Sequence, residues 1–234
     1  MTRKMEGSDV PMPPWGKQRK STQAPREPLT VTRIVRAAIA IIDVEGSDAL
    51  TMRGIAHKLG VAPSALYVHV QNRQDILNLV LEHVLESEVG LPELTGDWQL
   101  DVKRYFMRLQ SKLSAHGDVA VVNFAAFPPT RIGIATTERL LTALLGAGVS
   151  PQVASWGLHR ITLYTNADVY EGWQMRSRHM DEWAGPVRKY LEALPAADFP
   201  SISSSLDALL DEDSDGRFEL GLEFLISGIA NTVM

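Results

Sequence analysis

The stretch TMRGIAHKLGVAPSALYVHVQNR, running from Thr51 to Arg73, decides the fold. Thr51 offers a hydroxyl that can accept from a free backbone N–H at a helix start, and Gly60 tolerates the positive φ at which a helix stops. Between them Ile55 and Leu59 lie four apart and share a face. Pro63 suits the first position of a second helix, where its missing N–H costs nothing. Ala62, Leu66 and Val70, again four apart, read as the inner stripe of that helix. Only Gly60, Val61 and Ala62 join the pair, so the helices must cross steeply, in a helix-turn-helix arrangement. Pro63, Ser64, Tyr67 and Val68 are left facing outward, with His69 near the far end. Such a face can offer a hydroxyl, a methyl-bearing surface and a phenol to a DNA major groove. The same spacing also fits an ordinary helical hairpin in an all-α protein.

Working outward, Ile34, Ala38, Ile41 and Ile42 form one stripe of a supporting helix over Thr32–Val44, with Arg33 and Arg36 off the stripe and Gly46 as its stop. Asn72 reads as an N-cap, with Asp75 favourably placed near the positive end of the next helix. Ile76, Leu79, Val80, His83 and Val84 continue that helix to about Glu88. Gly90, Pro92 and Gly96 then mark a break. The expected domains are a basic, disordered arm over 1–28, a head with its connecting helix over 29–88, and a helical body over 89–234. The arm carries Arg3, Lys4, Lys17, Arg19, Lys20 and Arg26 among prolines and polar residues.

In the body, Trp98, Val102, Tyr105, Phe106, Leu109 and Leu113 recur at steps of three and four, and Gly117 ends their helix. Asp118–Phe127 is a short, nearly all-apolar helix candidate. Arg131–Leu145 forms the next helix. Ser150-Pro151 opens a long one to about Met175, in which Arg160, Thr162, Asn166 and Asp168 interrupt apolar groups on several sides. Residues 176–182 read as a loop, Pro186–Leu194 and Ser204–Leu210 as short helices, and Arg217–Thr232 as an apolar closing helix.

The chain has 234 residues, 45% hydrophobic, with no cysteine, which excludes disulfides, a thiolate nucleophile and cysteine zinc sites. The longest strongly apolar run, Ala37–Ile42, is far short of a membrane span, and no signal-peptide core is present, so a soluble, cytoplasmic protein is expected. Net charge is −5, but unevenly distributed. Residues 1–76 hold 11 Lys+Arg against 7 Asp+Glu, and the remainder 12 against 21. A basic head on an acidic body suits binding to DNA through the head alone. No phosphate-cradling glycine motif or H-E-x-x-H occurs, and the six histidines include no pair at i, i+3 or i+4. Neither an enzyme nor a cofactor or metal is expected.

The segment LTMRGIAHKLGVAPSALYVHVQNRQDIL resembles the DNA-binding segment of the tetracycline-repressor (TetR) family: a Leu-Thr-x-Arg opening, Ala-x-x-Leu-Gly-Val, a Leu-Tyr-x-His centre, then Asn-basic and Leu. With its preceding helix the likeness covers roughly Leu29–Leu81. It implies an all-α protein with a three-helix helix-turn-helix head on a helical ligand-binding and dimerisation domain. The implied DNA-facing residues are Thr51, Arg53, Pro63, Ser64, Tyr67, His69 and Arg73. Of these, Arg53 is expected to reach a base edge or phosphate, Ser64 and Tyr67 to touch DNA from the recognition helix, and His69 and Arg73 to hold phosphates. Ala62, Pro63 and Ala65 stand where relatives often carry polar readers, so few direct hydrogen bonds to bases are expected.

RFELGLEFLISGI resembles the closing helix of many such regulators, which implies a four-helix homodimer interface through Phe218, Gly221, Leu222, Leu225, Gly228 and Ile229. Pocket residues do not carry over by motif. Chemistry alone selects Phe106, Leu109, Phe127, Trp156 and Tyr164 as walls and Asn123, His159 and Arg160 as polar anchors for an aromatic or polycyclic effector. The expected protein is a repressor that binds a palindromic stretch of double-stranded DNA as a homodimer and is released by a small molecule. A DNA-binding regulator without small-molecule control, or an all-α interaction scaffold, fits the residues less well.

Overall fold

Local capping signals set the head. In the computed structural model, which describes residues 28–117, 119–120, 122, 130–177, 181–211 and 214–232, helix α1 spans Val31–Glu45. Thr30 Oγ1 accepts from the Arg33 N–H, and Gly46 ends the helix at φ 81°. A 3-10 turn, Ser47–Ala49, leads to α2, Met52–Leu59, where Thr51 Oγ1 accepts from the Gly54 N–H at 3.0 Å. Gly60 leaves α2 in the left-handed region at φ 66°, which lets its N–H reach the last carbonyls and turns the chain into α3, Pro63–Leu66. Asn72 Oδ1 then accepts from Asp75 N and Asp75 Oδ2 from Gln71 N, both at 2.9 Å, opening α4, Arg73–Val84. A π-helical turn, Leu85–Val89, extends α4 to Gly90 at φ 69°.

Ile34, Ala38, Ile42, Leu50, Ile55, Leu66, Val70, Ile76 and Val80 are buried together. Burial of each of the larger aliphatic side chains contributes about 1.5–3 kcal/mol. Ala62, expected on the inner stripe of the second helix, instead caps α3 and is exposed. That helix is four residues long, so only Leu66 and the Val70 that follows it face inward.

The body begins with α5, Trp98–Ser114, capped by Asp97. Buried Asp101 accepts from the Thr95 N–H and from Thr95 Oγ1 at 2.7 Å, which fixes the approach to the helix. Thr130 caps α6, Arg131–Gly146, and α7 runs Pro151–Ser177. Next come α8 (Asp181–Glu192), two short helices, α9 (Pro200–Ser204) and α10 (Leu206–Leu209), and α11 (Ser214–Ala230). Helices α5 and α11 both lie against α7. No strand occurs among the described residues.

Two expected boundaries shift. α8 starts at Asp181, well before Pro186, because a proline in the second turn removes a single N–H bond and the first turn is acidic. The helix expected over Ser204–Leu210 splits in two, with Pro200 starting the first piece. Most of the apolar candidate Asp118–Phe127 lies outside the described residues, although Val119, Ala120 and Val122 are buried.

Close packing of α7 on α11 depends on two glycines. A Cβ on Gly157 would stand 2.5 Å from Ile229 Cδ1, and one on Gly221 would stand 2.1 Å from Tyr164 Oη. Gly221, expected to admit a partner backbone, thus seats a tyrosine of its own chain. Tyr164 stacks on Phe218 at 5.2 Å and donates to the Phe218 carbonyl at 3.1 Å.

Candidate DNA-binding face and ligand groove

With Ile55, Ala56, Leu66 and Val70 turned inward, Arg53, His57, Lys58, Pro63, Ser64, Tyr67, Val68 and His69 form the exposed surface of the helix-turn-helix. Tyr67 is 57% exposed and Val68 81%, both large side chains held in water with nothing covering them. No carboxylate lies between Thr51 and Val70, so the face is positive through Arg53 and Lys58. Thr51 sits at its edge with its hydroxyl occupied in capping α2.

Arg73 has a different setting from the other six residues of the expected DNA-facing set. Its Nε donates to the Leu50 carbonyl at 2.9 Å, one Nη donates to the Ser47 carbonyl, and Asp48 stands 3.8 Å away. The guanidinium ties the start of α4 to the turn that launches α2. It fixes the angle of the motif, and its fork is already engaged with main chain rather than open toward a phosphate.

The body holds a groove of about 1060 Å³ between α5, α7, α8 and the start of α11. Met107, Met175, Trp183, Val187 and Leu210 supply apolar wall, and Gln110, Asp168, Glu171, Arg176, Asp211, Asp215 and Arg217 supply polar edge. Gln110 Nε2 donates to Asp168 Oδ2 at 2.9 Å. Burial pushes the Asp168 carboxyl above the usual carboxylate range; the Gln110 bond and the Arg217 charge oppose this, while the nearby negative charges of Glu171 and Asp215 reinforce it.

The eight expected pocket residues divide differently. Phe106 and Leu109 are buried core, Phe106 meeting Tyr105 edge to face at 5.3 Å, whereas the groove uses their neighbours Met107 and Gln110 on the adjoining face of α5. Tyr164 is engaged with α11. Trp156, 65% exposed, and His159 and Arg160 point outward from α7, away from the groove. Asn123 and Phe127 lie outside the described residues. Asp168, Met175 and Trp183 line the groove without standing among the expected residues, although the polar groups that interrupt the apolar pattern of α7 are a signal for Asp168.

The expected interface stripe on α11 also turns over. Phe218, Leu222 and Ile229 face the chain's own core and Leu225 is half-buried, because the most regular apolar stripe is the one that packs within the chain. Gly228 is exposed with open space where a Cβ would stand. Leu220 and Phe224, 67% exposed, lie on the outward face of α11. The Gly157–Ile229 and Tyr164–Gly221 contacts set α7 and α11 antiparallel.

Head and body meet at the C-terminal end of α5. His116 Nε2 lies 2.8 Å from Glu88 Oε1 at the end of the connecting segment, and its Nδ1 lies 3.2 Å from Asp43 Oδ1 on α1. Gly117, at φ 54°, presses on α1 so closely that a Cβ would stand 2.6 Å from the Ile42 carbonyl oxygen. Glu82 on α4 also accepts from the Arg131 N–H at the start of α6. Ser111 and Ser114, which line the groove, are on the same helix end that seats the head.

A helix-turn-helix with an exposed reading face, joined to a helical body that encloses a groove, defines a DNA-binding regulator with a ligand-binding domain. Residues 34–80 match the profile of bacterial regulatory proteins of the tetR family, and residues 91–233 that of the tetracyclin repressor-like C-terminal domain. The chain is 30% identical over 207 residues to an HTH-type transcriptional regulator of Saccharopolyspora erythraea, covering 87% of this chain and 86% of that protein. It is 27% identical over 197 residues to the class G tetracycline repressor protein of Vibrio anguillarum, covering 83% and 90%. The crystal structure of the TetR family protein ActR of Streptomyces coelicolor in complex with actinorhodin superposes with a TM-score of 0.78 at 35% identity, covering 88% of this chain and 97% of ActR. The chain belongs to the TetR family of transcriptional regulators.

Proposed function

We propose that this protein is a homodimeric repressor that holds a palindromic operator and releases it when a small aromatic or polycyclic effector enters the groove. Binding, not turnover, is its task, and operator DNA places it in the cytoplasm; no described helix is long and apolar enough to cross a membrane. The observation that carries the reading is the double use of α5. Its last turns line the groove at Ser111 and Ser114, and the residues directly after them seat the head through His116 and Gly117. An effector that shifts this end of α5 must re-aim α1 and α4, and with them the reading helix α3. Its differential affinity for the two head positions sets how far operator affinity falls, and DNA weakens effector binding by the same factor.

In this reading Arg53, Ser64, Tyr67 and His69 touch DNA, with Pro63 and Val68 adding van der Waals contact, and Arg73 positions the motif. Two copies would set their reading helices about 34–36 Å apart to meet successive major grooves. The outward face of α7 and α11, with Trp156, Leu220, Phe224 and Gly228, is the surface on which the second copy would pack. Phe224→Glu should therefore leave the fold intact and give a monomer with weak operator binding. Sedimentation equilibrium checks this, and an unaltered dimer would move the interface elsewhere.

The reading as a whole is tested by a thermal-shift screen of the full chain against aromatic and polycyclic compounds, followed by DNA mobility assays with each hit. Hits are expected to raise the melting temperature and to release DNA at matching concentrations. Hits that bind at Trp183 but leave DNA affinity unchanged would favour a regulator without small-molecule control.

A further inference from the structure

We propose that the groove selects a planar ring system bearing a protonated amine, with Asp168 as the carboxylate that pairs with it. This rests on the reading of the groove as the effector site and goes on to its chemistry.

Four carboxylates, Asp168, Glu171, Asp211 and Asp215, line the groove against two guanidinium groups, those of Arg176 and Arg217. Arg176 donates to the Ser114 carbonyl at 3.3 Å, and Arg217 donates to the Asp211 carbonyl. Asp168 is met by a neutral donor alone: it accepts from Gln110 and makes no ion pair among the described residues. The Arg217 guanidinium is near enough to favour the Asp168 carboxylate but is turned to the Asp211 carbonyl and makes no ion pair with it. A carboxylate held partly out of water with no ion pair gains more from an incoming positive charge than one free in solvent.

Gln110 supplies the second observation. More than nine-tenths buried, it faces the groove, and donation to the carboxylate fixes the orientation of its amide. Its Oε1 accepts no hydrogen bond among the described residues. Asp168 and Gln110 Oε1 therefore present a pair of acceptors, which an ammonium with its three N–H donors can satisfy and a carboxylate cannot. An anionic ligand would add negative charge beside Asp168 and leave both acceptors unmet.

The remaining wall suits a flat ring. Met107 and Met175 adapt to its outline, Leu210 and Val187 cover it, and the Trp183 indole adds attraction for a cation over its face.

The test uses two probes that share a ring and differ in charge, 9-(aminomethyl)anthracene and anthracene-9-carboxylate. Each is titrated into the full chain without DNA, following probe fluorescence, with wild type, Asp168→Asn and Trp183→Ala. The ammonium probe is expected to bind wild type about tenfold more tightly than the carboxylate, a difference the size of one charge-assisted hydrogen bond. Asp168→Asn is expected to lose about that factor for the ammonium probe and to leave the carboxylate unchanged or tighter. Trp183→Ala is expected to weaken both. A carboxylate that binds wild type as well as the ammonium overturns the amine assignment, and this comparison needs no variant to fold. If that happens while Trp183→Ala still weakens binding, the groove stands as the effector site. Binding of neither probe, or binding indifferent to Trp183→Ala, overturns both readings.

Discussion

Replacing Leu66 with alanine is expected to destabilise the protein by about 2–5 kcal/mol and to abolish tight operator binding, while Tyr67→Ala removes operator affinity and leaves stability within about 0.5 kcal/mol of wild type. The two residues are neighbours in sequence but face opposite ways. Leu66 is wholly buried and is the one buried residue of the four-residue α3, a helix too short to hold itself. Its removal leaves a cavity under the reading helix and frees that helix to move. Tyr67 projects into solvent, so its truncation removes contact with DNA and little else. Urea unfolding and fluorescence anisotropy on one duplex separate the two effects. A Leu66→Ala variant as stable as wild type, or a Tyr67→Ala variant with full affinity, would contradict the assignment of the inner and outer faces.

Gly117→Ala is expected to break communication between groove and head. The left-handed backbone at this position costs a side-chain-bearing residue roughly 1–3 kcal/mol. The added Cβ also meets the Ile42 carbonyl oxygen at 2.6 Å, main chain that cannot swing aside. Relief requires α5 and α1 to separate, which opens the contact between His116 and the carboxylates of Asp43 and Glu88. The variant should melt earlier than wild type and still bind effector, but the factor by which effector weakens DNA binding should shrink toward one from the roughly 5–150-fold typical of allosteric coupling. His116→Asn tests the same joint without backbone strain and should give a smaller loss of coupling. Wild-type coupling in Gly117→Ala would show that the signal leaves the groove by another route.

What could be read from the residues alone follows the range of the interactions. Thr51, Gly60 and Asn72 act on partners within a few positions, so the caps and turns of the head are written locally, and Leu66 and Val70 follow from helical spacing. The bracing role of Arg73 is not legible from spacing, because its partners, the carbonyls of Leu50 and Ser47, lie 23 and 26 positions away. In α11 the periodicity correctly marks Phe218, Leu222 and Ile229 as a packed stripe, but a stripe does not say whether it faces its own chain or another. Tyr164, seated on Gly221, decides that for α11. The groove was least legible. Residue type alone marks aromatics such as Phe106 as walls, whereas the space opens where α5 presents Met107 and Gln110 to α7 and α8. In the sequence Asp168 is only a polar interruption of an apolar pattern, since Gln110, the residue that holds it, is 58 positions distant.

Selection of duplexes from a random-sequence pool by the purified full chain, with anisotropy titration of the enriched duplex, tests the account most directly. Enrichment of a palindrome is expected, with half-sites about one helical turn apart or a multiple of it, bound with an affinity that falls as salt rises and is lost in Tyr67→Ala. Recovery of unrelated sequences bound no more tightly than the starting pool would contradict the claim that the Thr51–Arg73 face reads DNA.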